Sequence, residues 1–459
     1  MTSSTLMVSV SGMRGIVGTD LTPELISRHA AALGAWAKGN GQPIVVLGRD
    51  SRTSGAMYTH AAIAGLMSVG VDVIDLGIVP TPTVQMAVEH HHAGAGLIIT
   101  ASHNPIAWNA LKFVGPDGIF LDAVAGGAVR TMAEQGVPRA GWDGIGQVRY
   151  DPEATERHIG QILRLPWVDL ERIRARHFHV ALDCVRGAGG AVIPGLLERL
   201  GCRASAINLE TDGQFPREPE PTPENLGELG RLVRESGADV GLAVDPDVDR
   251  LAVVDELGRP IGEDYTLAWA VRAVLGARRS ALGTRQADQP VVVANLSTSL
   301  VVEDAAREGG ARFVRAPVGE ANVAATILAE GALIGGEGNG GVILPELHVG
   351  RDAPLGVALI LQHLAVTGQR PSEIVASAPR YQIVKAKSPR GADLKALYAA
   401  IRNRFTEATA DTRDGLRLSW ADRWVHVRPS GTEPIIRYIA EAPTGALAKD
   451  LIATCQDLA

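Results

Sequence analysis

Three successive stretches of this sequence alternate short apolar runs with segments of helical length, and this alternation limits the folds open to the chain. The runs lie at 43–47, 71–74 and 95–99, at 179–182, 204–208 and 239–244, and at 291–293, 312–314 and 332–334. Between them lie helix-like stretches such as 22–38, where Thr22 can cap the helix and Pro23 can take its first position. Repeated strand–helix alternation is typical of α/β units. The sequence therefore predicts three of them.

Segments rich in glycine and proline at 140–152, 255–262 and 367–379 are candidate linkers between these units. The last part of the chain differs, because a helix-like stretch at 393–405 precedes two strand-like runs, 423–427 and 435–440, that flank a polar loop. We therefore predict three similar mixed α/β domains and a smaller C-terminal α+β domain. The expected boundaries are 1–148, 149–256, 257–370 and 371–459.

Size and composition narrow the functional classes. A chain of 459 residues is too long for one core. A net charge of −7 without a Lys/Arg run argues against nucleic-acid binding, although a small anionic ligand needs only a local basic pocket. Three scattered cysteines predict neither disulfides nor a zinc site. Neither a membrane-spanning run nor a signal peptide is evident, so we expect no membrane association and a cytoplasmic location.

The first polar loop of interest, residues 100–105, reads Thr-Ala-Ser-His-Asn-Pro and follows an apolar run, with Lys112 beyond it. The end of a buried strand is where parallel-sheet proteins place their chemistry. Ser102 is a nucleophile, a phosphate carrier or a turn residue. The GxSxG pattern of hydrolases does not surround it. His103 is expected to point away from Ser102, because neighbouring side chains on an extended segment diverge, so a phosphate carrier is favoured over a hydrolase nucleophile.

The second loop carries three carboxylates at alternating positions, Asp245, Asp247 and Asp249, between the apolar runs 240–244 and 251–254. Such carboxylates converge on one side of an extended loop and repel one another unless a cation lies between them. Oxygen-only ligands favour Mg²⁺. The alternative is a solvated acidic turn, which the flanking apolar strands disfavour.

The third loop, residues 335–341, reads Gly-Gly-Glu-Gly-Asn-Gly-Gly. It contains GxGxxG, but no helix pattern follows it, so a dinucleotide site is not predicted. The carboxylate of Glu337 and the amide of Asn339 suit sugar hydroxyls, which both donate and accept hydrogen bonds. A plain flexible loop is the alternative.

The fourth loop, residues 428–434, reads Arg-Pro-Ser-Gly-Thr-Glu-Pro, and Arg437 follows it. Guanidinium and hydroxyl donors around a tight turn favour a phosphate cradle over a purely structural hairpin turn. Arg14, between the glycines of segment 12–18, is a further candidate that is equally well read as a surface residue.

These four loops, in this order along essentially the whole chain, resemble those of the α-D-phosphohexomutase superfamily. The resemblance implies four domains around a central cleft, which would be the phosphoserine, metal-binding, sugar-binding and phosphate-binding domains in chain order. It implies Mg²⁺-dependent transfer of a phosphoryl group between the 1- and 6-positions of a hexose phosphate, through a hexose 1,6-bisphosphate that also primes the enzyme. Glucosamine, glucose and mannose phosphates are the candidate substrates.

The resemblance also implies a role for each singled-out residue. Ser102 would be the phosphoserine, and its phosphate would share Mg²⁺ with the three aspartates. The residues implied around the transferring phosphoryl group are Arg14, His103, Lys112 and Arg250. Those implied to hold the sugar and the non-reacting phosphate are Glu337, Asn339, Arg428, Ser430, Gly431, Thr432 and Arg437.

The chain departs from the family pattern at several positions. Pro246 and Val248 stand where glycine is more common, and Asn339 stands where many relatives have serine. Gly341 replaces a common histidine that is a candidate acid/base group, which leaves Lys112 or His348 as its possible replacement. Segment 315–320 lacks a frequent lysine, and its Glu320 is more typical of the phosphoglucosamine branch.

Two other functions remain open from the sequence. A sugar-bisphosphate synthase or phosphatase would use the same phosphoserine but release the intermediate or lose phosphate to water. A non-catalytic sugar-phosphate sensor is disfavoured, since binding alone needs no carrier serine.

Overall fold

The computed structural model describes residues 6–9, 12–283, 288–390, 393–430 and 435–458. Four sheets of seven, four, four and five strands follow one another along the described part of the chain. The first three mix parallel and antiparallel pairs, and the last is antiparallel. The predicted fold class, three mixed α/β units and a C-terminal α+β unit, is confirmed.

The first unit begins with an antiparallel pair and continues as strand–helix alternation. Its elements are β1 (Met7–Ser9), β2 (Gly12–Ile16), α1 (Pro23–Gly39), β3 (Ile44–Arg49), α2 (Gly55–Met67), β4 (Asp72–Ile78), α3 (Thr81–His90), β5 (Ala95–Ile99), β6 (Trp108–Val114), α4 (Ala123–Gln135) and β7 (Val148–Tyr150). The strand order is β1-β2-β6-β5-β3-β4-β7. Helix α1 starts where the sequence predicts, since the Thr22 hydroxyl accepts from Leu25 N and Pro23 is the first helical residue.

The second and third units each contain a four-stranded sheet. The second comprises α5 (Ala154–Leu163), α6 (Leu170–Ala175), β8 (His179–Asp183), α7 (Ile193–Arg199), β9 (Arg203–Ile207), α8 (Gly227–Ser236), β10 (Val240–Val244) and β11 (Leu251–Val254), with 3₁₀ turns at Ala188–Ala191 and Pro223–Asn225. The third comprises α9 (Asp264–Leu282), β12 (Val291–Asn295), α10 (Leu300–Glu308), β13 (Arg312–Ala316), α11 (Glu320–Glu330), β14 (Ile334–Glu337), β15 (Gly341–Ile343), α12 (Ala353–Thr367) and α13 (Pro371–Ser377).

The fourth unit is a five-stranded antiparallel sheet with two helices. Its elements are β16 (Gln382–Pro389), α14 (Leu394–Arg404), β17 (Thr409–Asp411), β18 (Leu416–Ser419), β19 (Trp424–Pro429), β20 (Ile435–Ala442) and α15 (Gly445–Gln456). It is fixed to the third unit through Glu441, whose buried carboxylate accepts from the hydroxyl of Ser299, from Leu300 N at 2.8 Å and from Trp424 Nε1 at 2.7 Å.

One topology recurs in the first three units. In each sheet, a strand with a parallel partner on one side forms an antiparallel hairpin with the next strand on its other side. These hairpins, β5–β6, β10–β11 and β14–β15, occupy equivalent places in the strand orders β6-β5-β3-β4, β11-β10-β8-β9 and β15-β14-β12-β13. The loop inside each of these hairpins is therefore at the same edge of its sheet. The serine, aspartate and glycine-rich loops are these three connections.

Apolar side chains of both faces of these sheets form the cores, and one large cluster joins the second and third units. No helix in the described ranges is both long and apolar enough to cross a membrane. Cys184, Cys202 and Cys455 are unpaired.

Candidate active site

The serine loop and the end of the aspartate loop line a cavity of about 270 Å³ between the first three units, to which the third unit contributes residues 319–322 and Arg351 rather than the glycine-rich loop. Its lining includes six charged or polar side chains that the sequence analysis singled out in separate parts of the chain. They are Arg14, Ser102, His103, Lys112, Arg250 and Glu320, and the cavity is also lined by Arg351. The aspartates lie beneath this lining and are fully buried.

Ser102 is buried at the start of its loop and has a left-handed backbone, with φ of 49°. Its hydroxyl donates to Asp245 Oδ2 at 3.0 Å, which joins the serine loop directly to the aspartate loop. A left-handed conformation is costly for a residue with a side chain and is typical of functional sites. The position is therefore held by its surroundings rather than by local preference.

The expectation that His103 points away from Ser102 is wrong. His103 Nδ1 lies 3.4 Å from Ser102 Oγ, because the left-handed backbone at Ser102 replaces the extended conformation on which that expectation rested. Burial and the nearby Arg250 and Arg14 lower the pKa of His103 to about 2. The imidazole is therefore neutral and a weak base, so His103 is a poor base for Ser102, and the basic group that contacts the Ser102 hydroxyl is the Asp245 carboxylate.

Arg52, which the sequence interpretation missed, shapes the serine loop. Its fully buried guanidinium donates to the main-chain oxygens of Ser102 at 2.7 Å, Asn104 at 2.6 Å, Pro105 at 2.8 Å and Trp108 at 3.0 Å. A fifth bond reaches a carboxylate, Asp50 Oδ2, at 3.0 Å, and the same oxygen accepts from the Thr100 hydroxyl. The available signal was a charged segment at 49–52, which begins at the last residue of strand β3.

The three aspartates converge as predicted. One carboxylate oxygen from each of Asp245, Asp247 and Asp249 lies within 4.8 Å of the others, and all three residues are buried. Lys112 Nζ donates to Asp247 Oδ2 at 2.7 Å and Thr81 Oγ1 donates to the same oxygen at 2.8 Å. Asp247 Oδ1 and Asp249 Oδ1 are buried and have no hydrogen-bond partner among the described residues. Two orphaned carboxylate oxygens beside a serine hydroxyl fit a hard divalent cation.

The carboxylates of this cluster differ in their ease of ionisation. Burial, with repulsion from Asp249 and Asp247, raises the pKa of Asp245 well above its ordinary value. Burial acts in the same direction on Asp247, but the ammonium of Lys112 outweighs it and lowers that pKa. The repulsion expected from the sequence is therefore concentrated on Asp245.

Val248 shows why glycine is common at its position in the family pattern. Its φ is 62°, a conformation that strongly disfavours β-branched residues. The residue is fully buried, Val248 N donates to Asp245 O at 3.2 Å and Val248 O accepts from Ala353 N at 3.2 Å. Packing and main-chain bonds thus hold a turn that costs on the order of 1–3 kcal/mol.

The glycine-rich loop is a hairpin between β14 and β15, so the expectation that no helix follows it is confirmed. Glu337 is buried, and its Oε1 accepts from Asn295 Nδ2 at 2.9 Å and from Gly319 N at 3.1 Å. Asn339 closes the turn, since its Oδ1 accepts from Gly341 N at 3.2 Å and its Nδ2 lies 3.4 Å from Glu337 Oε2.

His348 does not face this cavity. It is buried, and its Nε2 lies 3.0 Å from Asp352 Oδ2, an oxygen that also contacts His158 Nε2 at 2.8 Å. Asp352 in turn caps helix α12. His348 is therefore part of a buried structural cluster, and the suggestion that it replaces the missing histidine at position 341 is wrong. Arg351 occupies the space beside Gly341 instead.

In the fourth unit, Arg428 and Arg437 are direct cross-strand partners, and Arg437 is also paired with Lys387 on its other side. Three cations thus lie in one row on one sheet face, an arrangement that destabilises a sheet unless anions are near. One anion is Asp414, whose Oδ2 lies 3.0 Å from Arg428 Nε. Ser430 is buried next to this row, whereas Gly431 and Thr432 lie outside the described residues.

Comparison with known proteins assigns the four units to one family. Family profiles described as phosphoglucomutase/phosphomannomutase alpha/beta/alpha domains I, II and III match residues 6–135, 156–258 and 263–381, and the C-terminal domain profile of the same family matches 383–457. The chain belongs to the α-D-phosphohexomutase superfamily. Its membership covers all four units, in the order expected from the four loops.

Individual members of the superfamily are similar over nearly the whole length. A phosphoglucomutase/phosphomannomutase of Thermococcus kodakarensis is 38% identical over 447 residues, which are 96% of this chain and 95% of that protein. A probable phosphoglucosamine mutase of Methanopyrus kandleri is also 38% identical, over 96% of this chain and 95% of its own. The crystal structure of a phosphoglucomutase/phosphomannomutase family protein from Burkholderia thailandensis has a TM-score of 0.85 at 24% identity, covering 98% of this chain and 97% of that one. These relatives fix the phosphohexomutase family and the fold, while their names point to different sugars.

Proposed function

We propose that this phosphohexomutase moves a phosphoryl group reversibly between the 1- and 6-positions of a hexose phosphate, with Ser102 as the carrier. The observation that carries the proposal is the buried Ser102 hydroxyl, which bonds Asp245 in a cavity lined by Arg14, Lys112 and Arg250. A hydroxyl among cations, with carboxylates behind it, suits a group that alternates between a free and a phosphorylated form.

Mg²⁺ would be held by Asp245, Asp247 and Asp249 together with the Ser102 oxygen or its phosphate. When bound, it would neutralise charge on the phosphoryl oxygens during transfer. The two orphaned oxygens, Asp247 Oδ1 and Asp249 Oδ1, support this assignment. Lys112 keeps Asp247 ionised and ready to act as a ligand.

Other residues of the chain would stabilise the transferring phosphoryl group, bind the sugar and bind the second phosphate. Arg14, Lys112 and Arg250 offset the charge of the phosphoryl group while its bond to Ser102 Oγ breaks and a bond to a sugar hydroxyl oxygen forms. The proton that the sugar hydroxyl loses is taken up by Ser102 Oγ, which returns to its hydroxyl form. Glu337 and Asn339 accept and donate hydrogen bonds to the sugar. The row of Arg428, Arg437 and Lys387, with Ser430, Gly431 and Thr432, holds the phosphate that is not reacting. In the second half-reaction the other phosphate of the bisphosphate returns to Ser102.

Burial of the transfer site favours a mutase over a phosphatase. Ser102 is 3% exposed, and the cavity around it lies between three units. Exclusion of water limits hydrolysis of the phosphoserine and of the bisphosphate. A sugar-bisphosphate synthase or phosphatase is the alternative that uses the same residues, and it differs in releasing bisphosphate or inorganic phosphate.

The substrates that we propose are glucose, mannose and glucosamine phosphates, because the similar relatives carry names that refer to all three sugars. The test is a kcat/KM panel over the 1- and 6-phosphates of glucose, mannose, glucosamine and N-acetylglucosamine, each primed with its own bisphosphate. At least one hexose phosphate of the panel should be converted between its 1- and 6-phosphate forms when only a catalytic amount of bisphosphate is present. Absence of interconversion across the whole panel would refute the proposal.

Asp247→Asn is expected to raise the Mg²⁺ concentration needed for half-maximal activity by at least about tenfold, because a proposed ligand is lost. The sequence alone predicts little cost in stability, since removing a carboxylate relieves repulsion. The structure reverses that expectation: Lys112 would keep only Asp249, at 4.0 Å, so Mg²⁺-free protein should lose about 1–3 kcal/mol. Magnesium titration of activity and urea unfolding without magnesium measure the two effects.

The matched control for this variant is Asp212→Asn, which removes an exposed carboxylate of the same unit whose partner is Arg186. It should change neither quantity measurably. Unchanged Mg²⁺ dependence in Asp247→Asn would contradict the metal assignment, and unchanged stability would contradict the role given to Lys112.

Lys387→Gln is expected to raise KM for the sugar phosphate about three- to tenfold while kcat changes little. Lys387 lies at the exposed end of the row that it forms with Arg437 and Arg428. Its loss therefore weakens binding of the non-reacting phosphate equally in the ground state and in the transition state. Lys395→Gln, which removes an exposed lysine from helix α14 of the same unit, is the control and should leave KM unchanged. Equal KM values for the two variants would remove Lys387 from the phosphate site.

A further inference from the structure

Arg351 connects carboxylates of two units and has no role in the family pattern derived from the sequence. Its Nη2 donates to Asp249 Oδ2 of the aspartate loop at 2.7 Å, and its Nη1 donates to Glu337 Oε2 of the glycine-rich loop at 3.0 Å. Its Nε donates to Glu320 Oε2 at 3.1 Å. The side chain is 9% exposed and lines the cavity that contains Ser102.

The neighbouring residues make room for the Arg351 side chain and hold it in place. A Cβ atom added at Gly341 would lie 2.3 Å from Arg351 Cδ, so the absence of a side chain at 341 makes room for the arginine. Glu320 Oε1 accepts from Arg351 N at 3.0 Å, so one carboxylate fixes both the main chain and the guanidinium of this residue. Two of the positions at which the third unit differs from many relatives, Gly341 and Glu320, thus meet at one side chain.

The segment 318–320 extends this connection into the fourth unit. Val318 N donates to Asp414 Oδ2 at 3.1 Å, and Asp414 is also the partner of Arg428. Gly319 N donates to Glu337 Oε1. Three consecutive residues therefore contact the proposed phosphate site, the proposed sugar site and, through Glu320, Arg351.

The contact with Asp249 bears on the proposed cation site. Arg351 occupies Asp249 Oδ2, whereas Oδ1 has no hydrogen-bond partner among the described residues and lies 3.7 Å from Arg250 Nε, which leaves it available to a cation. The guanidinium is planar and rigid, so the carboxylates of Asp249 and Glu337 are held at a fixed separation. A shift of either carboxylate on binding its ligand is therefore transmitted to the other.

We propose that Arg351 is a positioning residue that couples the cation site at Asp249 to the sugar site at Glu337. The coupling rests on the proposed function, because it assumes that Glu337 binds a hexose phosphate. This role depends on the simultaneous contacts of Arg351 with Asp249 and Glu337, and not only on its charge or its packing. Mg²⁺ and sugar phosphate each tighten the binding of the other by the same factor, as thermodynamic linkage demands.

The experiment measures that factor in a Ser102→Ala background, which prevents turnover. The probe is the hexose 6-phosphate with the highest kcat/KM for wild-type protein among glucose, mannose and glucosamine, titrated by calorimetry with and without saturating Mg²⁺. We expect Mg²⁺ to tighten binding about tenfold when Arg351 is present. Arg351→Gln should reduce the factor to about one, and Arg351→Lys should do the same, since an ammonium keeps the charge but lacks the fork.

Arg272→Gln is the control, because Arg272 is another partly buried arginine of the third unit and bonds Glu308, away from the cavity lining. It should retain the tenfold factor. Retention of coupling in either Arg351 variant, or absence of coupling when Arg351 is present, overturns the inference. If Arg351→Gln does not fold, Arg351→Lys and Glu320→Gln provide the same comparison. Failure of the proposed function is distinguished by wild-type protein, which would then interconvert no hexose phosphate.

Discussion

Ser102→Ala should lower kcat/KM by at least about 1,000-fold, because the carrier oxygen on which both half-reactions depend is lost. The neighbouring Thr100 hydroxyl is engaged with Asp50 at 2.7 Å, so it is poorly placed to replace Ser102. Alanine adopts a φ of 49° no less readily than serine, so the fold and sugar-phosphate binding should be retained. Steady-state kinetics and calorimetric binding of the preferred hexose phosphate measure the two properties.

The control for this variant is Ser68→Ala, which removes a serine hydroxyl at the end of helix α2 that donates to Gly65 O. It should be as active as wild-type protein. Substantial turnover by Ser102→Ala would show that the phosphoryl group travels without this serine, and the mechanism would then be wrong.

Arg52→Met is expected to have the largest effect on stability, a loss of about 3–5 kcal/mol in the free energy of unfolding. The substitution leaves the buried Asp50 without its cation and strips donors from four main-chain oxygens of the serine loop. Activity should fall with it, since these bonds hold Ser102 in place. Chemical denaturation and kcat at a temperature where the variant is folded are the measurements.

Arg130→Met, at an exposed position of helix α4, provides the comparison and should cost less than about 0.5 kcal/mol. Arg52→Lys keeps the charge but cannot reach all five acceptors, so it should lie between methionine and wild type in stability. A loss below 1 kcal/mol for Arg52→Met would contradict the structural role assigned to this residue, by the usual scale for a broken buried pair.

The elements that the sequence predicts well are those with a continuous apolar signal. Strands β3, β5, β8, β10 and β12 are buried at most of their positions, and each was visible as a short hydrophobic run. The loops that follow such strands were found for the same reason. Short edge strands such as β1 and β7 carry no comparable pattern. Strand β1 pairs with the next strand, β2, whereas the pairing of β7 with β4 depends on contacts between residues that lie far apart in the chain.

The candidate site was predictable where several functional groups cluster in one loop. The three aspartates converge because they alternate along one segment, and that is visible without a structure. Arg52 and Arg351 were missed because each is a single charged residue whose partners come from distant loops. His348 was wrongly expected at the site because the sequence does not show that it lies beside Asp352 and His158, which are buried away from the cavity.

The orientation of His103 shows a further limit. Alternation of side chains holds only for extended backbone, and nothing in the composition of the loop predicts the left-handed conformation of Ser102. The contacts that impose it, from Arg52 and Asp245, appear only when the loops are assembled.

Phosphorus NMR of a reaction primed with a trace of hexose 1,6-bisphosphate decides whether Ser102 carries phosphate between two positions of one sugar. We expect hexose 1-phosphate to be converted to hexose 6-phosphate over many turnovers per bisphosphate added, with phosphoserine at Ser102 and no accumulation of inorganic phosphate. Consumption of bisphosphate in proportion to product, or steady release of inorganic phosphate, would rule out a mutase and identify a bisphosphate synthase or phosphatase instead.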